Sequence, residues 1–128
     1  MNNSQKNSSG SKNGRLIGWL VSYHLDQKGK SFEIRSGRTF ITGKEIPAER
    51  QLNFSDREIA TAHMVVNASP RHKVMIQDCF SPAGSFVVRK GSEHVEQISG
   101  PIEIQHGDLI RIGGQFRLQV CLIDGPSR

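Results

Sequence analysis

The sequence is short of most of the features that announce a function. In 128 residues it has two cysteines, one tryptophan and one tyrosine. Cys79 and Cys121 show no CxxC spacing, which argues against a zinc knuckle or a thioredoxin-like redox pair. They read as two small buried hydrophobes in a reducing compartment, with a disulfide between them left open. No apolar run approaches the length a membrane-crossing helix needs. The opening MNNSQKNSSGSKNG offers neither an apolar segment nor a small-residue cleavage site, so no signal peptide or anchor is expected and a cytoplasmic location is.

Helical patterning is missing too. The best candidate stretch, Glu45 to Ile59, is broken by Pro47 and lacks apolar residues at i, i+3 and i+4. The five histidines, His24, His63, His72, His94 and His106, have no HxxxH spacing, and no metal or other cofactor is expected. Ser85 sits in AGSFV rather than GxSxG, and nothing beside it in sequence would activate it, so the chain does not read as an enzyme. Seventeen basic residues against twelve acidic ones give a net charge of +5. That charge is scattered, and Lys6, Lys12 and Arg15 lie in or beside the opening segment. A polyanion or nucleic-acid binder is therefore the weakest of the binding readings.

What is present is alternation. Ile17, Trp19, Val21, Tyr23 and Leu25 share one parity, a turn follows at residues 27–30, and Phe32 and Ile34 alternate after it, which predicts a hairpin with Trp19 and Tyr23 in the core. Further short runs hold Ala62, Met64 and Val66; Val74 and Ile76; Phe86 and Val88; Ile102 and Ile104; Ile110 and Ile112; then Phe116, Leu118, Val120 and Leu122. Many short strands separated by Gly or Pro imply an all-β fold, two antiparallel sheets packed as a sandwich, with a barrel as the second choice. One domain over residues 15–124 is expected between a disordered polar tail, 1–14, and a frayed end, 125–128.

Loops at the ends of such a sandwich carry recognition. Four segments stand out in order: residues 37–44 (GRTFITGK), 59–63 (IATAH), 76–87 (IQDCFSPAGSFV) and 106–113 (HGDLIRIG). Together they resemble the forkhead-associated (FHA) family, small β-sandwiches that read phosphothreonine peptides, over about residues 16–123. In that family the four segments carry Ile-Gly-Arg, Ser-Arg-x-His, Asp-x-x-Ser-x-Asn-Gly-Thr-Phe-Val, and Gly-Asp followed by an apolar-Gly pair. Gly43, His63, Asp78, Ser81, Gly84, Phe86, Val87, Gly107, Asp108 and Gly113 match.

The departures fall on the residues that would hold the ligand. Lys44 replaces the arginine, Ala60 the serine that grips phosphate, Thr61 the arginine beside it, Ala83 the asparagine that binds the peptide main chain, and Ser85 the threonine. A phosphate needs cations and donors at fixed positions, and lysine lacks the planar fork of arginine. Two missing hydrogen bonds at about 1–3 kcal/mol each imply binding weaker by roughly thirtyfold to twenty-thousandfold.

The resemblance thus implies an intracellular adaptor that binds a protein or peptide partner with weak or lost phosphothreonine dependence. The alternative is a phosphopeptide reader with a rearranged pocket around Lys44 and Thr61. Peptide- or phosphate-binding candidates are Lys44, Thr61, Ser81, Ser85 and Arg57. His63, Gly43, Gly84 and Asp108 are expected to brace the loops, and Asp78 and Asp108 to accept main-chain N–H bonds at turns. The oligomeric state stays open.

Overall fold

The computed structural model describes residues 14–125. The tail expected over 1–14 and the end expected over 125–128 lie outside these residues, apart from Gly14 and Gly125. The strands are β1 (Leu16–Ser22), β2 (Lys30–Arg35), β3 (Gly37–Thr42), β4 (Gln51–Asn53), β5 (Met64–Ala68), β6 (Val74–Asp78), β7 (Ser85–Val88), β8 (Val95–Gln97), β9 (Ile102–Ile104), β10 (Leu109–Ile112) and β11 (Phe116–Leu122). They form a six-stranded sheet, β2-β1-β11-β10-β7-β8, and a five-stranded sheet, β4-β3-β5-β6-β9. The all-β sandwich read from the alternation is the fold observed.

One pairing departs from an antiparallel scheme, since β3 and β4 run parallel. Parallel neighbours normally need a long crossover. Here residues 43–50 turn back within eight positions because the Gln51 side chain holds them, donating to Ile46 O and Ala48 O and accepting from Ile46 N.

The core draws inward-facing residues from both sheets: Ile17 and Leu20 of β1, Ile41 of β3, Met64 of β5, Ile76 of β6, Ile104 of β9, Ile110 and Ile112 of β10, and Phe116, Leu118 and Val120 of β11. Each such side chain contributes about 1.5–3 kcal/mol when fully withdrawn from water. Phe54, Ile59 and Ile98 complete it from the loops, outside any alternating run.

Two strands bury the opposite parity from the one expected. A bulge between Leu16 and Gly18 shifts the β1–β2 register, so Ile17 and Gly18 are both buried and Leu20 and Ser22 follow inward. Trp19 and Val21 consequently line the outer face, half-buried, and Tyr23 is 65% exposed; neither aromatic is core. The insertion of one residue reverses every side chain after it. In β7, Val87 and Ser85 point inward while Phe86 and Val88 are half-buried outside. The run Phe86-Val87-Val88 is apolar at both parities, and the pairing of Ser85 with Ile112 and Val87 with Ile110 decides it. Outside, the Arg111 guanidinium covers the Phe86 ring at 4.5 Å. Both cysteines are free and half-buried rather than core, and Cys121 sits opposite Trp19 on that outer face.

Candidate functional site

Ile41, Met64 and Asp78 lie in one row across β3, β5 and β6. The chain leaves β3 and β6 and enters β5 at the same end of the sandwich, so loops 43–50, 54–63 and 79–84 meet there. The turn 113–115 joins them, with Gly113 N donating to Gly84 O at 3.0 Å.

An inner tier of this end is closely bonded. Thr42, fully buried, uses one hydroxyl three times: Oγ1 donates to Lys44 O at 2.6 Å and accepts from Lys44 N at 3.2 Å and Ala62 N at 3.1 Å. Gly43 N donates to Ala60 O at 3.0 Å, and a Cβ at Gly43 would lie 2.1 Å from Ile59 O. Only glycine allows that approach.

His63 is 0% exposed. Its Nδ1 accepts from Ala60 N at 2.9 Å, which leaves the proton on Nε2 to donate to Gly84 O at 3.0 Å. One imidazole therefore ties the loop after β4 to the loop after β6. Asp78 organises the second of these loops, accepting from Ser81 N at 2.9 Å, Ser81 Oγ at 2.5 Å and Ser85 Oγ at 2.6 Å, while Ser81 Oγ accepts from Gly84 N at 3.2 Å. Burial pushes the Asp78 carboxyl upward, but the Ser81 and Ser85 bonds outweigh it and hold the carboxyl below its ordinary range. Burial and the neighbouring Asp78 raise the Cys79 thiol, which makes it a poor nucleophile.

An outer tier faces solvent. Lys44 and Thr61 are both exposed; the Thr42 hydroxyl binds the main chains of Lys44 and of Ala62, the residue after Thr61, and neither the Lys44 nor the Thr61 side chain has a partner among the described residues. The N–H of Ala60 is already committed to His63, so this position offers an incoming ligand neither a hydroxyl nor a free amide.

The candidates named from the sequence do not all converge. Lys44 and Thr61 lie on neighbouring loops through the shared Thr42 hydroxyl, whereas the Ser81 hydroxyl is spent on Asp78 and Gly84 N and braces its own loop. Ser85 does not belong with them: it is 0% exposed and donates to Asp78, which makes it a brace. Arg57 lines a separate cleft of about 530 Å³ with His24, Asp56, Glu58 and Gln115. Gly43, His63 and Gly84 brace this end, Gly84 with φ 86°. Asp108 braces the opposite end, accepting from Arg89 Nη1 at 2.7 Å, Gln105 N at 2.8 Å and Lys90 N at 3.3 Å. Sequence reasoning missed Phe80, which is 100% exposed with φ 58°. Its only signal is a bulky apolar residue within the turn between Asp78 and Pro82. Among the described residues no three His, Cys, Asp or Glu side chains converge as metal ligands, and no helix is long and apolar enough to cross a membrane.

The family model for the FHA domain matches residues 34–113. Solved structures with the same fold include the FHA domain of an Arabidopsis thaliana hypothetical protein, 19% identical, covering 91% of this chain and 95% of that one with a TM-score of 0.67. The FHA domain of the CT664 protein from Chlamydia trachomatis is 18% identical, with 83% and 96% covered and a TM-score of 0.66. That of human APLF, in complex with an XRCC1 bisphospho peptide, is 12% identical, with 83% and 99% covered and a TM-score of 0.66. Comparison with curated proteins gives no match.

Proposed function

The chain belongs to the FHA domain family, and on that premise we propose that it is a protein-interaction module whose loop end takes a peptide of a partner protein with weak or lost dependence on phosphothreonine. FHA domains are interaction modules, and the similar human domain is held with a bisphospho peptide. One observation carries the reading: the inner tier keeps its bonds, while alanines stand at 60 and 83, where the family carries the serine and asparagine that hold the ligand. Lys44 still brings a charge, but as a point cation it cannot hold two phosphate oxygens in one plane. A cytoplasmic signalling setting is part of the same reading, and two unpaired thiols suit it.

The test is a titration of the full chain with a degenerate phosphothreonine peptide library and with its unphosphorylated twin. The two affinities are expected to lie within about tenfold, the equivalent of ~1.4 kcal/mol. A much larger phosphate-dependent gain that Lys44→Ala abolishes overturns the reading. It would instead establish a rearranged phosphopeptide pocket, a second reading favoured by the exposure and adjacency of Lys44 and Thr61. That pocket further requires Thr61→Ala to weaken binding.

A further inference from the structure

Phe80 is the most exposed large apolar residue among those described, at 100% against 65% for Tyr23. Its φ of 58° places it in the left-handed region, where a bulky side chain crowds its own carbonyl and where asparagine or glycine would sit without strain. The side chain is thus unfavourable twice over, in conformation and in solvation, and exposure at that level leaves it no packing contact with the described residues that offsets either.

The neighbours on both sides fix it in this state. Cys79 N donates to His63 O at 2.9 Å and Ser81 is held by Asp78 through its N–H and its hydroxyl, so residue 80 has no slack to fold inward. A strained residue over-determined by its surroundings is characteristic of ligand clamps. An aromatic ring displayed in advance loses little freedom on binding.

From this geometry we infer that Phe80 is the apolar anchor of the loop end, and that the bound peptide carries a large apolar side chain in addition to an acidic or phosphorylated residue opposite Lys44. The inference rests on the reading of this end as the peptide site and names the ligand class that site takes. The exposed Lys44 supplies the charge complement, and Phe80, across the His63 bridge, supplies contact area at an end where Ala60 and Ala83 carry no side-chain donor. An anionic bilayer suits the end less well, since Glu45, Glu49 and Glu58 are exposed on the loops beside it.

The experiment is positional selection from a degenerate nonapeptide library with one fixed phosphothreonine or glutamate, using the wild-type chain, Phe80→Ala, Phe80→Gly and Lys44→Ala. The wild type is expected to select Phe, Leu, Ile, Met or Trp at one position. Both Phe80 variants should lose that selection and about tenfold in affinity, with a midpoint of thermal unfolding no lower than wild type, and higher for Phe80→Gly because its strain is relieved. Lys44→Ala should keep the apolar selection and bind both the phosphothreonine and the glutamate library more weakly than the wild type does. Apolar selection that persists without Phe80 overturns the anchor while leaving the peptide site standing. Failure of the wild type to bind any member of the library overturns both. Binding of phosphatidylcholine–phosphatidylserine vesicles, or a dimer in sedimentation, that Phe80→Ala abolishes while peptide selection stays intact reassigns the ring and overturns the anchor.

Discussion

The two tiers of the loop end differ in how their polar groups are employed. Inward, Thr42, His63, Asp78, Ser81 and Ser85 direct their side chains at other parts of the same end, joining segments 20 or more positions apart where Thr42 meets Ala62 and His63 meets Gly84. Outward, Lys44 and Thr61 face solvent beside Ala60, and Phe80 is fully exposed among the described residues. The inner bonds reach Ala60 and Lys44 only through their main chains, so substitutions of the side chains there are expected to change what this end binds more than how stably it folds.

The comparison is tested hardest by reversing the outer losses. Ala60→Ser with Ala83→Asn should raise affinity for a phosphothreonine library by about thirtyfold or more, at roughly 1–3 kcal/mol per restored bond, as read by calorimetric titration. No gain would mean that the tiers are coupled and that Lys44 or the loop path blocks phosphate. Next comes His63→Ala, which strips the partner from the part-buried Ala60 N–H and the buried Gly84 carbonyl. It should destabilise the fold by about 3 kcal/mol in urea unfolding, and a change below 1 kcal/mol would deny the inner tier its structural role.

Asp78→Asn sharpens the same distinction through pH. A carboxyl whose folded pKa lies below its unfolded value stabilises the fold above the unfolded value, and that contribution fades as pH falls through the folded pKa. Asp78 is of this kind. The destabilisation caused by Asp78→Asn should therefore be full near pH 7 and shrink steadily below the ordinary aspartate range, giving a flatter acid limb in denaturation measured from pH 6 to pH 2. The smallest effect is expected outside: Lys44→Ala and Thr61→Ala should each change unfolding free energy by no more than about 0.5 kcal/mol.

How much of this was legible along the chain depended on whether the deciding contact was local. Strands with strict alternation, such as Phe116 to Val120, declared their buried face. The loop segments declared the braces at His63, Gly43 and Gly84 because their residue types and order are those of a known frame. β4 and β8 passed unnoticed, each three residues long and mostly polar. Trp19 was placed on the wrong face because a bulge leaves no mark in a sequence that is apolar at both parities. Ser85 looked like a surface hydroxyl until the inward turn of β7 buried it, and Asp108 proved to serve the far end, since order along the chain does not say at which end of a strand a residue emerges.

The sequence by itself determined the all-β class, the frame of the family and the absence of donors at positions 60 and 83, because these follow from side-chain type and short-range periodicity. Only the tertiary structure decided which hydroxyls are spent inside, that Arg57 lines a separate cleft and that Phe80 is held out in water. Those outcomes depend on register, bulges and bonds between residues distant in the chain, and a one-residue change in any of them reverses the face a side chain presents.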